Sequence, residues 1–230
     1  MSRPSFPSAR LTGICLIVAS LLLQAGYLVT PWEEESTTIA YHASLAGHPD
    51  QAMIAATLLH FGWVAWAPAA FGIVALLRPR GGWLLAIGGT LAIVGTVSMP
   101  GLLVTDFYDL ALAQELPART AAAVSDAATD HPLLIAFQLP AIAGCILGTT
   151  LLFFALWRAR VVAVWVPLLV LGGWLVTFAL PVSLVSFAIG GGLSMVGGIV
   201  AGVLIMRGAG SDVRETPAPL PSEAAAPAAA

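Results

Sequence analysis

This 230-residue sequence predicts an all-α fold, a polytopic membrane helical bundle of six transmembrane helices with the N- and C-termini cytoplasmic. Three observations predict it. The chain is 59% hydrophobic and only 9% charged, with a mean hydropathy of +0.93, where a soluble domain usually carries about 25% charged residues. Apolar blocks at 11–30, 52–77, 82–105, 133–157 and 161–206 reach or exceed the roughly 20 residues that cross a bilayer. Finally, the arginines alternate with the blocks. Arg3 and Arg10 precede the first, Arg78 and Arg80 follow the second, Arg158 and Arg160 follow the fourth, and Arg207 and Arg214 follow the last. Short arginine-rich loops stay cytoplasmic, so only Arg119 falls outside, among nine of the twelve acids.

The blocks resolve in order. Span 11–30 follows Arg3 and Arg10 as a signal peptide would, but it lacks a small-x-small cleavage site before Tyr27 and is expected to be a retained anchor. Spans 52–77 and 82–105 are joined by a minimal arginine turn, and 133–157 forms the fourth span. The 46-residue block 161–206 is too long for one helix. The Leu180-Pro181-Val182-Ser183 break divides it into 161–180 and 184–206. Trp32 at one boundary, with Trp83 and Trp157 at the other, suits interfacial anchoring. Residues 1–207 are thus expected to form the membrane domain. Residues 208–230, rich in proline and alanine, are expected to be a disordered cytoplasmic tail.

Two outer loops carry short helices. In the first, Ser36 or Thr37 would cap a helix ended by Gly47 and Pro49, and in the second a helix begins at Pro117. Spans 2 and 4 both begin after His-Pro and end in ALLRPR and ALWRAR, a hint of parallel duplication that common boundary chemistry would also produce. Ser186, Gly190, Ser194, Gly198 and Gly202 form a small-residue stripe on the last span. Such stripes let helix backbones approach in lipid. Packing within the chain is the expected use, and a homo-oligomer face is the alternative.

The stretches PAAFGIVALLRPRGGWLLAIGGTLAIVG and ALWRARVVAVWVPLLVLGGWLV carry arginine turns and regularly placed glycines. In these features the chain resembles a loose group of small six-span integral membrane proteins of high-GC actinobacteria. The resemblance implies the architecture and a bacterial plasma membrane location. It transfers no function and no site residues.

Candidate site residues come from polar groups inside the spans, which hold no Asp, Glu, Lys or Arg. His60 is the one side chain there that titrates near neutral pH. It lies about eight residues below the outer end of its span, hence roughly 12 Å deep at 1.5 Å per residue. Gln24, Ser98 and Gln138 fall at similar depth on three other spans, next to Pro100 and Pro140. Buried polar groups in hydrocarbon need partners, so one reading is an outward-facing polar pocket. His60 forms its floor, and Asp106 and Asp109 stand at its mouth beside Tyr108. The competing reading is a neutral histidine hydrogen-bonded to a glutamine, fixing helix register.

No cofactor is predicted. Haem on His60 with Met99, or a metal on His42, His48 and His131, is a minor alternative. Cys15 and Cys145 both fall inside spans, so no disulfide framework is indicated. HExxH, GxSxG and Walker patterns are missing, and a net charge of −3 without a basic patch does not support nucleic-acid binding. A non-enzymatic binding, sensory or accessory component is therefore expected, with the lipid bilayer and a second copy or a membrane subunit as partners. A small-solute transporter or channel, and a redox protein, are the alternatives.

Overall fold

The computed structural model describes residues 8–33, 35, 37–78 and 82–212, with backbone alone from 209. Arg3, Arg80, Arg214, Glu34, Ser36 and the tail from 213 onward lie outside the described residues. Among those described the fold is all helix: α1 (Ala9–Val29), α2 (Thr38–Gly47), α3 (Pro49–Leu77), α4 (Gly82–Leu103), α5 (Thr105–Glu115), α6 (Ala118–Thr129), α7 (Pro132–Ala143), α8 (Thr149–Arg158), α9 (Trp165–Ala179) and α10 (Leu184–Asp212). A π-helical turn, Gly144–Gly148, joins α7 to α8 without a break.

The long helices stand in a ring in chain order. Helix α1 packs on α3, α3 on α4, and α4 on the α7–α8 unit; α8 meets α9, α9 meets α10, and α10 returns to α1. Leu16, Ala19, Trp63, Ile73, Leu152, Phe153, Val166 and Ala201 fill the interior. The outside is also apolar: Phe61, Leu139, Leu175, Phe178 and Val185 are all more than half exposed. Water would not tolerate so continuous an apolar coat. Five helical stretches are long and apolar enough to cross a membrane, with α9 a shorter apolar helix.

Helix contacts are made by residues without bulk. A Cβ on Gly13 of α1 would lie 2.5 Å from the Gly202 carbonyl of α10, and one on Gly202 would lie 2.7 Å from the Gly13 carbonyl. Gly190 and Ser194 meet Thr177 and Gly173 of α9, while Gly198 meets Ser20 of α1. The small-residue stripe of α10 is thus packed within the chain, shared between two neighbours. On the far side, Gly95 of α4 lies backbone to backbone against Gly144 and Cys145, and Gly148 against Leu91 and Ala92. Pro140 has no N–H to close the turn before it, and Gly144 and Gly148 add no Cβ. The helix widens to the π form there, directly against α4.

Three boundaries differ from those the sequence suggests. Helix α9 begins at Trp165, not at 161, because α8 closes in a Schellman motif. The Arg160 N–H donates to the Trp157 carbonyl at 2.8 Å and the Val161 N–H to the Leu156 carbonyl at 3.0 Å, with Arg160 left-handed at φ 61°. Helix α10 runs from Leu184 to Asp212, past the end at 206 that the sequence suggests for this span. Residues after 103 also form a second helix, α5, where no helix was expected.

Helices α2, α5 and α6 pack on one another at one end of the ring, where Leu45 of α2, Leu110 and Ala113 of α5 and Ala52 of α3 form a small core. Thr37 caps α2, its Oγ1 accepting from the Ala40 N–H at 3.2 Å. The Thr38 hydroxyl donates to Asp126 at 2.7 Å and the Ser125 hydroxyl to Asp109 at 3.0 Å, tying the three helices into a cap.

Candidate functional site: a cavity within the ring

Between α1, α3, α8, α9 and α10 the ring leaves a cavity of about 50 Å³ that is open on one side. It lies toward the capped end, since its lining includes Tyr27 near the end of α1 and Thr177 near the end of α9. Aromatic rings dominate the wall: Tyr27, Trp63, Trp66, Phe153 and Trp174. Trp66 and Phe153 are tilted against each other with centroids 6.1 Å apart. Trp32, stacked on Phe187 at 4.4 Å, sits next to Tyr27 above them.

The polar part of the lining carries no charge. Ser20 and Thr177 donate their hydroxyl hydrogens one turn back, to the Leu16 carbonyl at 2.8 Å and the Gly173 carbonyl at 2.9 Å. Thr149 does the same to the Cys145 carbonyl, opened by the π turn, and accepts from the Trp174 indole N–H at 3.3 Å. This local pairing is how hydroxyls are accommodated inside apolar helices. Gln24 differs. Its Nε2 donates to the Ala188 carbonyl of the neighbouring α10 at 3.3 Å, while its Oε1 is buried and meets no donor in the protein. The bond to Ala188 fixes which way the amide points, because a carbonyl can only accept. Gly191 makes room for that oxygen: a Cβ there would overlap it.

Of the candidate pocket residues His60, Gln24, Ser98, Gln138, Asp106 and Asp109, Gln24 alone lines this cavity. His60 is half-buried on α3 and uses Nδ1–H to donate to the Pro100 carbonyl of α4 at 3.1 Å, 40 residues away. Its partner is a backbone carbonyl and not a glutamine. Ser98 and Gln138 are half-buried on α4 and α7, and neither joins Gln24. Met99 packs against the main core.

Asp106 and Asp109 sit in the cap. Burial, and then the neighbouring Asp109, raise Asp106 from the ordinary 3.8 to about 7. Burial, with Asp106, Asp109 and Glu33 close by, pushes the Tyr41 hydroxyl upward. Tyr108 points to the outside.

His42, His48 and His131 do not come together. His42 is fully buried in the cap with neither ring nitrogen partnered. His48 is exposed at the start of α3, and His131 is exposed with Nδ1 accepting from the Leu133 N–H at 3.3 Å. No three His, Cys, Asp or Glu side chains among the described residues are grouped to hold a metal ion.

Thr149, Trp174 and Thr177 escaped the sequence reading. The only sequence signal for them is a polar or indole group inside an otherwise aliphatic span. Comparison with family models, with curated proteins and with solved structures finds no match.

Proposed function

We propose that this protein is a six-span component of a bacterial plasma membrane, with both termini in the cytoplasm, that binds a small molecule inside its helix ring without chemically changing it. The observation that carries the reading is Gln24 Oε1, an acceptor buried in the apolar ring with no protein donor. Leaving such a group unpaired costs about 1–3 kcal/mol. A ring held together by glycine contacts has no packing need for an amide at that position. Residues lining the cavity include neither an acid–base pair nor a nucleophile with a base beside it, so its chemistry is that of holding. The arginines at the uncapped ends of the helices and the acids in the cap support the orientation, with the cap outside.

Native mass spectrometry of the protein released from mild detergent tests this. The wild type should retain a noncovalent adduct of small-molecule mass, and Gln24→Leu should lose it or hold it at reduced occupancy. A wild type that is bare under conditions where annular lipids still survive would overturn the binding role.

A further inference from the structure

We infer that the molecule this cavity takes is an uncharged, largely apolar alcohol, whose hydroxyl donates to Gln24 Oε1 while its hydrocarbon part lies among Trp63, Trp66, Phe153 and Trp174. This rests on the binding role proposed above and names its ligand class. The wall is aromatic and aliphatic, and no charged side chain lines it. A carboxylate or ammonium would enter without a counter-charge and bear a heavy desolvation penalty. An uncharged ligand follows.

The polar lining then selects among uncharged ligands. Ser20, Thr149 and Thr177 have already committed their hydrogens to helix carbonyls, and the Trp174 N–H is committed to Thr149. One of the two hydrogens on Gln24 Nε2 goes to the Ala188 carbonyl, which turns Oε1 away from that carbonyl. The cavity therefore offers Oε1 as a buried acceptor whose direction is set. A ligand must bring a donor. Ethers, esters and ketones of the same shape carry none, and would leave Oε1 unpaired. A hydroxyl donates to Oε1 and still has lone pairs for the Tyr27 or Ser194 hydroxyls, which complete the lining.

The test uses the full-length protein in lipid nanodiscs, with empty nanodiscs correcting for partition into lipid. Three probes of equal chain length are compared: 11-bromoundecan-1-ol, its methyl ether and 11-bromoundecanoic acid. Bromine quenches nearby indoles, so occupancy is read as the saturable part of tryptophan quenching, displaceable by unbrominated undecanol. The alcohol should bind about tenfold more tightly than the ether, the ratio that about 1.4 kcal/mol produces, and the acid more weakly than the alcohol. In Gln24→Leu the alcohol-to-ether ratio should fall to about one.

An ether or acid that binds as well as the alcohol to the wild type would overturn the ligand class and leave the binding role standing. The same holds for a preference that survives in Gln24→Leu. Absence of a saturable component for all three probes would overturn the binding role as well. The wild-type comparison of alcohol with ether decides between these outcomes even if the variant does not fold.

Discussion

Replacing Gln24 with leucine should make the ligand-free protein more stable, which is unusual for a change at a buried, hydrogen-bonded residue. Two effects compete. The variant loses the 3.3 Å bond from Nε2 to the Ala188 carbonyl, a neutral bond worth about 0.5–1.5 kcal/mol net. That carbonyl lies inside α10 and keeps its own helical donor, so nothing is orphaned. The variant also removes Oε1, a buried acceptor without a partner, whose unpaired burial costs about 1–3 kcal/mol. Leucine has a similar volume and would lie against Gly191, which leaves space there. The balance is a gain on the order of 1 kcal/mol, or roughly 2–4 °C in Tm for a chain of this length. The assay is thermal unfolding in one detergent, followed by tryptophan fluorescence, on protein stripped of small molecules by repeated exchange. A drop of more than about 4 °C would be the opposite of the expected gain. It would mean that Oε1 is satisfied inside the protein and that Gln24 is a structural tie.

Other consequences follow from the same geometry. His60→Ala removes the bond to Pro100 and should lower stability by about 1 kcal/mol while leaving alcohol binding unchanged, measured by the same melts and quenching titrations. Gly144→Val puts a branched side chain where α4 lies backbone to backbone with the π turn. It should cost about 3 kcal/mol or more, seen as loss of the monodisperse peak in size exclusion. Arg160→Gly relieves a left-handed arginine in the Schellman turn and should raise stability by up to about 1 kcal/mol, seen as a higher Tm.

In the cap, Asp106 keeps its proton up to about 7 in the fold but only to about 3.8 in the unfolded chain. Above 3.8 the folded state holds the extra proton, so cap stability is greatest below about pH 4. It declines as pH rises to about 7 and is flat beyond. The whole gap corresponds to at most about 4 kcal/mol at 1.36 kcal/mol per pH unit. Hydrogen exchange over 38–47 and 105–129, corrected for intrinsic rates, should show weaker protection at pH 8 than at pH 5. Asp106→Asn should abolish that difference.

Much of the architecture is legible in the sequence, because bilayer length and arginine placement act on each helix separately. The positions of α1, α3, α4 and the α7–α8 unit need no knowledge of their neighbours. Helix α5 is harder to see. Its apolar residues merge with the preceding span, and the Leu110 to Ala113 spacing that buries it is short. The cavity is legible only at Gln24. In lipid both the inside and the outside of a helix are apolar, so hydropathy does not say which face turns inward. Thr149, Trp174 and Thr177 converge only once α8 closes against α9, and a one-residue rotation of either helix would separate them. His60 attracts attention as the lone titratable group in its layer, yet its partner is a carbonyl, and every residue has one. Charge and depth mark His60 as unusual, but the cavity's lining holds its unpartnered oxygen on Gln24.

The most direct test of this account is an experimental structure of the protein in nanodiscs made from its own membrane lipids, with antibody fragments to aid particle alignment. Non-protein density is expected inside the ring, with one atom about 3 Å from Gln24 Oε1 and the remainder against Trp66 and Trp174. A ring closed on itself, with Oε1 bonded to a protein donor and no density between α1 and α9, would contradict it.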